Sequence, residues 1–285
     1  MQMNAFVTRF APSPTGHLHL GHAASAFRVW SAAEAAGGTV LLRLEDIDTV
    51  RCRPEYAASI LEDLTWLDLD WAGEVRRQSA HFDDYAKVLA DLDRRGLVYR
   101  CFRTRKEVLA DIARAPHGAL PVFVGDPLLA DQEARRIAAG EAFAWRLSSK
   151  AVRETLGVRA EHLFYVETGG AETKRVAVDV SSAGDVILAR KDTPASYHLA
   201  CAHDDAAQGV THIVRGDDLA ASTPIHVVLQ ALMAWPTPVY CHHPLVTDAE
   251  GKRFAKRDKS RTLRAMRDEG RTPEEVRDLA FGGRV

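Results

Sequence analysis

Two histidines, His19 and His22, bracket a leucine and a glycine in the run His19-Leu20-Gly21-His22. Gly21 lets a nucleotide come close to the backbone, and two imidazoles donating to a triphosphate can stabilise the charge that builds up in adenylyl transfer. Half of a metal site, or two histidines that merely begin a helix, is the plainer alternative. The loop before them, Pro12-Ser13-Pro14-Thr15-Gly16-His17-Leu18, places Gly16 at a Walker A spacing from Gly21. That comparison fails, because His22 and Ala23 stand where the motif needs Lys and Ser or Thr. A kinase or simple NTPase is thereby disfavoured. The other conspicuous chemistry is basic: residues 252–267 carry eight Lys or Arg against one acid, Asp258. The chain as a whole has 37 basic and 39 acidic residues, a net charge of -2, so a polyanion would have to be met by such a patch.

These residues need elements to hold them. Residues 5–10 are apolar and end against a Pro- and Gly-containing loop, which predicts a buried strand. Ala23, Ala26, Phe27, Trp30 and Ala33 then recur at helical spacing, and Gly37-Gly38 supplies the stop. Residues 39–44 read as a second strand. Strand, helix and strand in about forty residues make a βαβ unit with parallel strands and a right-handed crossover. In such a unit the loop after the first strand is where backbone amides and the helix N-terminus hold phosphate. Pro54 with Ala57, Ile60, Leu61, Leu64 and Leu67 predicts a helix, and residues 81–95 another, with Phe82, Tyr85, Val88, Leu89 and Leu92 inward and Gly96 as its stop. Residues 98–102 read as a strand. The pattern weakens over 103–183, as in an inserted subdomain, and strands resume at 186–189, 211–214 and 239–242.

The 285 residues, 46% hydrophobic and 27% charged, suit an ordinary folded protein of one large domain or a main domain with a smaller partner. Cys52, Cys101, Cys201 and Cys241 lack the close spacing of a zinc knuckle or redox motif and read as reduced thiols in a cytosol. The N-terminus lacks a signal-peptide pattern and no apolar run reaches membrane length, so a cytoplasmic protein without membrane contact is expected.

Arg9-Phe10-Ala11-Pro12-Ser13-Pro14-Thr15-Gly16, His19-Leu20-Gly21-His22 and Leu42-Arg43-Leu44-Glu45-Asp46-Ile47-Asp48 resemble the opening of the class I glutamyl-tRNA synthetases. Trp66-Leu67, Gly184-Asp185-Val186-Ile187-Leu188, the run from Gly209 to Asp218, and Gly251-Lys252-Arg253-Phe254-Ala255-Lys256-Arg257 match in order. The resemblance implies an α/β fold: a Rossmann-like parallel sheet with an inserted α+β subdomain. It divides the chain into 1–102 and 184–247 as catalytic halves, 103–183 as the insert, and 248–285 as a basic loop with a short helical segment. Residues 253–257 resemble the Lys-Met-Ser-Lys-Ser loop. Ala255 replaces its first serine, while Lys256 keeps the charge placed to meet ATP phosphates. The family pattern makes His19, His22 and Lys256 catalytic, and assigns Pro12, Thr15, Gly16, His19, Gly21, His22, Arg253 and Lys256 to ATP. It assigns Arg9, Ala11, Ser13, Glu45, Tyr197 and Arg215 to glutamate. The charges suit that ligand, since a dicarboxylate needs guanidinium forks and its ammonium needs an acid, for which Glu45 is the natural partner. Strand-end ion pairs, a core tyrosine and a helix-preceding acid are the alternatives.

The chain ends 28 residues after Arg257, without an anticodon-binding domain, and so resembles the glutamyl-queuosine tRNA(Asp) synthetases. That branch implies tRNA-independent activation of L-glutamate by ATP with Mg2+. It also implies transfer of the glutamate to queuosine at the wobble position of the tRNA(Asp) anticodon stem-loop. The branch often carries a zinc site beginning Cys-x-Cys, but Arg103 follows Cys101 at that spacing and no cysteine lies between 101 and 201, so no structural zinc is expected. Three alternatives remain: a truncated glutamyl-tRNA synthetase charging a tRNA 3′ end, a small-molecule nucleotidyltransferase of the same fold, and a catalytically dead tRNA-binding module. The last should have lost His19, His22 or Lys256.

Overall fold

A computed structural model describes residues 5–113, 122–245 and 262–281. β1 (Val7–Phe10) and β2 (Thr39–Leu44) pair in parallel, Val7 opposite Thr39, and α1 (Leu20–Ala35) connects them. The apolar positions expected inside are there: Ala23, Ala26, Phe27 and Ala33 are buried in a cluster with Leu42 and Leu44. The helix ends because Gly37 takes the left-handed conformation, φ 59°. Gly38 then passes so close to Phe6 that an added Cβ would lie 2.4 Å from its carbonyl oxygen.

α2 (Pro54–Trp66) starts on its proline and buries Ala57, Ile60 and Leu64 against the same cluster. β3 (Arg76–Arg77) extends the sheet beyond β2, again in parallel. α3 (Phe82–Arg94) buries Tyr85, Val88, Leu89 and Leu92 and leads into β4 (Val98–Cys101). The weakly patterned stretch contains α4 (Arg105–Ala113), α5 (Ala130–Ala138), β5 (Ala144–Leu147), α6 (Ser149–Leu156), β6 (Phe164–Glu167) and β7 (Lys174–Ala177). Its strands go to two sheets. β5 lies antiparallel between β4 and β8 (Ile187–Arg190), whereas β6 joins the main sheet beside β10 (Val239–His243).

After β8, α7 (Tyr197–Ala207) leads to β9 (His212–Gly216), α8 (Thr223–Met233) and β10. The second hydrophobic cluster gathers α3, α7 and α8. β9 and β10 are parallel, His212 opposite Val239. β9 begins one residue later than its apolar pattern suggests, and Thr211 before it links β10 to β1: its carbonyl accepts Val239 N–H at 2.9 Å. The Thr211 N–H donates to Val7 O at 2.9 Å, and Val7 N donates to its hydroxyl at 2.9 Å. Those bonds put the start of β9 beside the start of β1, while Phe10 and Gly216, at their other ends, line one cavity. The main sheet is thus built of a three-stranded part, β3-β2-β1, and a four-stranded part, β9-β10-β6-β7, which meet at β1 and β9 through the Thr211 bonds, with only β7 antiparallel to its neighbour. From β1 the chain builds outward on one side and later, from β9, on the other, and an open α/β sheet presents its ligand crevice at the carboxyl ends flanking that reversal. α9 (Leu263–Asp268) and α10 (Pro273–Ala280) close the far side, with Arg277 over the Phe27 ring.

Candidate active site

His19 is the N-cap of α1 and accepts the N–H of Gly21 at Nδ1, 3.2 Å away. Its own backbone N–H donates to His22 Nδ1, also at 3.2 Å, and the rings lie 3.8 Å apart between centroids. Each Nδ1 thus accepts from the backbone, so a neutral ring carries its proton on Nε2 and is a donor there. Two ring donors at the N-terminus of a sixteen-residue helix form an electropositive end suited to phosphate. Using both Nδ1 atoms as caps also argues against the half metal site. Among the described residues, no three His, Cys, Asp or Glu side chains gather as a metal-holding group.

These imidazoles border a cavity of about 410 Å³ at the carboxyl ends of β1 and β9. Its lining brings together Arg9, Ala11, Pro12, Ser13, His19, Gly21, His22, Glu45, Tyr197 and Arg215. Thr15 and Gly16 are not part of that wall, and Thr15 instead closes a tight turn onto Ser13 O at 2.8 Å. Arg253 and Lys256 lie outside the described residues. Of the described residues, Leu245 lines the cavity and Thr262 is bridged to His19. The sequence reading missed Ser25 and Arg28, which complete the wall on the α1 side. Their spacing from Gly21, four and seven residues, is the helical signal that places all three on one face.

The two arginines differ in how their charge is met. Arg9 Nε pairs with Asp205 Oδ1 at 2.9 Å, and buried Arg43 reaches the same oxygen at 2.5 Å. Burial would raise the Asp205 pKa, but the two guanidiniums hold it well below the ordinary carboxylate range. Its neighbour Asp204 is held at about 2 despite burial, by His203, Arg43 and Arg76. Arg215, 4% exposed, meets only neutral groups: Thr223 Oγ1 at 2.7 Å, His242 Nε2 at 3.2 Å, Leu219 O at 3.2 Å, Tyr197 OH at 3.3 Å and His226 Nδ1 at 3.5 Å. Among the described residues no carboxylate lies within ion-pair distance of it. A buried cation without a counter-ion is costly, so this position suits an anionic ligand.

Glu45 is the opposite pole. It follows β2, is tied by its backbone N–H to Pro12 O at 3.1 Å, and is half-buried. Burial pushes its pKa up to about 7, against the opposing pull of Arg43 and Arg9. An acid in that state gains from an arriving ammonium group. Glu45, Ser13 and Tyr197 also border a second cavity of about 690 Å³, whose further walls include Asp48, Arg51, Arg190 and His198.

Comparison with known proteins identifies the family. The family profile for "tRNA synthetases class I (E and Q), catalytic domain" matches residues 5–280. A glutamyl-Q tRNA(Asp) synthetase of Rhodobacter capsulatus is 44% identical over 280 residues, 96% of this chain and 99% of that protein. The chain belongs to the glutamyl-Q tRNA(Asp) synthetase family. A second relative of that name, from Nitratidesulfovibrio vulgaris, is 43% identical over 92% of this chain and 81% of its own length. The synthetase also shares its fold with a glutamate tRNA ligase from Elizabethkingia meningosepticum, solved in complex with its amino acid. That match has a TM-score of 0.75 and 23% identity, and covers 97% of this chain and 60% of the other. The chain is thus a class I ligase with the fold expected from its motifs.

Proposed function

We propose that this synthetase activates L-glutamate with ATP, without a tRNA requirement, and transfers the glutamyl group to queuosine at the wobble position of tRNA(Asp). The observation that carries the reading is the crevice itself. It sets a buried Arg215, without a carboxylate partner among the described residues, and an ammonium-ready Glu45 beside an imidazole pair at a helix N-terminus. In this reading Arg215 and Arg9 take the glutamate carboxylates and Glu45 the α-ammonium, with Tyr197, Ala11 and Ser13 completing the wall. His19 and His22 donate to the ATP phosphates, supported by Pro12, Gly21, Thr15 and Gly16. The glutamate carboxylate attacks the α-phosphorus, and pyrophosphate leaves with charge that the helix end, Lys256 and Arg253 offset. Mg2+ arriving with ATP offsets phosphate charge and is held largely by the phosphates.

The groups assigned to glutamate all line one cavity, which supports its activation there. The second cavity, entered past Glu45 and Tyr197, suits the approach of an acceptor hydroxyl to the activated carboxyl. The name of the relatives, and the match to 99% of the Rhodobacter capsulatus protein, favour queuosine in tRNA(Asp) as that acceptor. Incubation with labelled glutamate, ATP and tRNA(Asp), with and without queuosine, tests the reading. Label confined to the anticodon loop of queuosine-containing tRNA is expected. Label on the 3′ end would contradict it.

A further inference from the structure

Arg215 is steered by groups outside its own crevice. Its Nε–H donates to His242 Nε2 at 3.2 Å. Thr223 Oγ1 lies 3.1 Å from the same nitrogen while accepting from Arg215 Nη2 at 2.7 Å, so its own proton is free to point at His242. Two donors therefore converge on Nε2, which must be the bare nitrogen of the ring. On the opposite edge, His242 Nδ1 lies 2.5 Å from Glu167 Oε2, so its proton faces a carboxylate. Glu167 is itself fixed, its Oε1 accepting the backbone N–H groups of His242 and Gly169 at 3.0 and 2.8 Å. Tyr240 packs parallel to the imidazole, centroids 5.8 Å apart. Burial, the largest influence, holds the His242 pKa below its ordinary value, which keeps the ring neutral.

We propose that Glu167 on β6 and His242 on β10 form a positioning relay that selects one imidazole tautomer and so aims the Arg215 guanidinium into the crevice. The proposal rests on the reading of Arg215 as a carboxylate partner of glutamate. Its physical logic is the contrast with Arg9. A carboxylate placed directly on Arg215 would orient it but also offset its charge, as Asp205, shared with Arg43, does in part for Arg9. Interposing a neutral ring transmits orientation and leaves the cation for the ligand. A strand from the weakly patterned 103–183 stretch thereby acts on the site without touching substrate, through two side chains of the main sheet.

Glu167→Gln separates this role from a structural one. The amide oxygen can keep both backbone bonds of Oε1, so the β6–β10 tie survives, while its NH2 now faces His242 Nδ1. That favours the other tautomer, which sets an Nε2–H against the Arg215 Nε–H. His242→Phe keeps a ring and removes the acceptor. Nitrogen NMR of the wild type should show His242 protonated at Nδ1 and bare at Nε2. In glutamate-dependent ATP–pyrophosphate exchange, Glu167→Gln should raise the glutamate KM roughly tenfold to a hundredfold, the range typical when an outer partner of a working imidazole is lost. The ATP KM and the rate at saturating glutamate should change little, as for lost ground-state binding. The double variant should be no worse than His242→Phe alone, because both act through one contact. A wild-type ring protonated at Nε2, or a Glu167→Gln variant with lowered Tm and unchanged glutamate KM, would overturn the relay. If Arg215→Ala leaves the glutamate KM unchanged, the glutamate assignment of Arg215 fails, and the NMR tautomer, read without substrate, still decides the relay.

Discussion

Arg215 and Glu45 border one crevice with opposite electrostatic problems, a cation with no carboxylate partner among the described residues and an acid that burial keeps partly protonated. The proposed ligand relieves both. Arg215→Ala should raise the glutamate KM by the equivalent of about 2 to 5 kcal/mol, the usual effect of removing one partner of a desolvated charge pair. Steady-state exchange kinetics would show it, and an unchanged KM would return Arg215 to a structural role. Glu45 adds a pH dependence. Its pKa of about 7 means that below neutrality the empty site is protonated, and binding an ammonium group must expel that proton. The glutamate KM should therefore climb as the pH falls below about 7, and Glu45→Gln should bind weakly with that slope removed. The same raised pKa makes the ionised acid a burden to the fold. Its stability contribution is present at low pH and lost as the pH rises through about 7, so Glu45→Gln should have the higher Tm at pH 8.

α7 shows how an element can be legible in outline and opaque in purpose. Its run Tyr-His-Leu-Ala-Cys-Ala-His-Asp-Asp-Ala-Ala is small and apolar apart from its histidines and the acid pair, which marks Asp204 and Asp205 as unusual. Only tertiary packing shows what they do. Asp205 binds Arg9 and Arg43 from two different strands, and Asp204 accepts from Tyr85 OH at 2.8 Å and Gln78 at 3.0 Å. Asp205→Asn should cost about 3 to 5 kcal/mol of stability, because it leaves two buried guanidiniums without their shared counter-ion. Denaturant unfolding at pH 7 would measure this, and a loss below about 1 kcal/mol would mean water or relaxation replaces the carboxylate. β1 and β2, buried on both faces, could be read as short apolar runs, and α1, α2 and α3 from helical periodicity and stop signals. β6 and β7 could not. Four-residue strands reading Phe-Tyr-Val-Glu and Lys-Arg-Val-Ala carry little alternation, and β6 finds its partner, Tyr240 opposite Glu167, far along the chain. The relay through Glu167 was invisible for the same reason, whereas Arg9, Glu45, Tyr197 and Arg215 sat on recognisable motifs and fall in one cavity.

Across the whole molecule, the reversal between β1 and β9 gathers side chains from both halves of the chain at one crevice, with the second cavity beside it. No helix among the described residues is long and apolar enough to cross a membrane. Cys101 packs with Tyr99, Val108 and Phe123, an apolar setting for a small buried thiol. Metal analysis of protein purified without chelator should accordingly find no stoichiometric zinc, and one zinc per chain that is lost on Cys101→Ser would contradict this. Whether the crevice activates glutamate without help from RNA is tested most directly by exchange of labelled pyrophosphate into ATP, run across the amino acids in nuclease-treated protein. Exchange that depends on L-glutamate and is undiminished by the absence of RNA is the expected result. Exchange that appears only when tRNA is added, or that follows another amino acid, would contradict it.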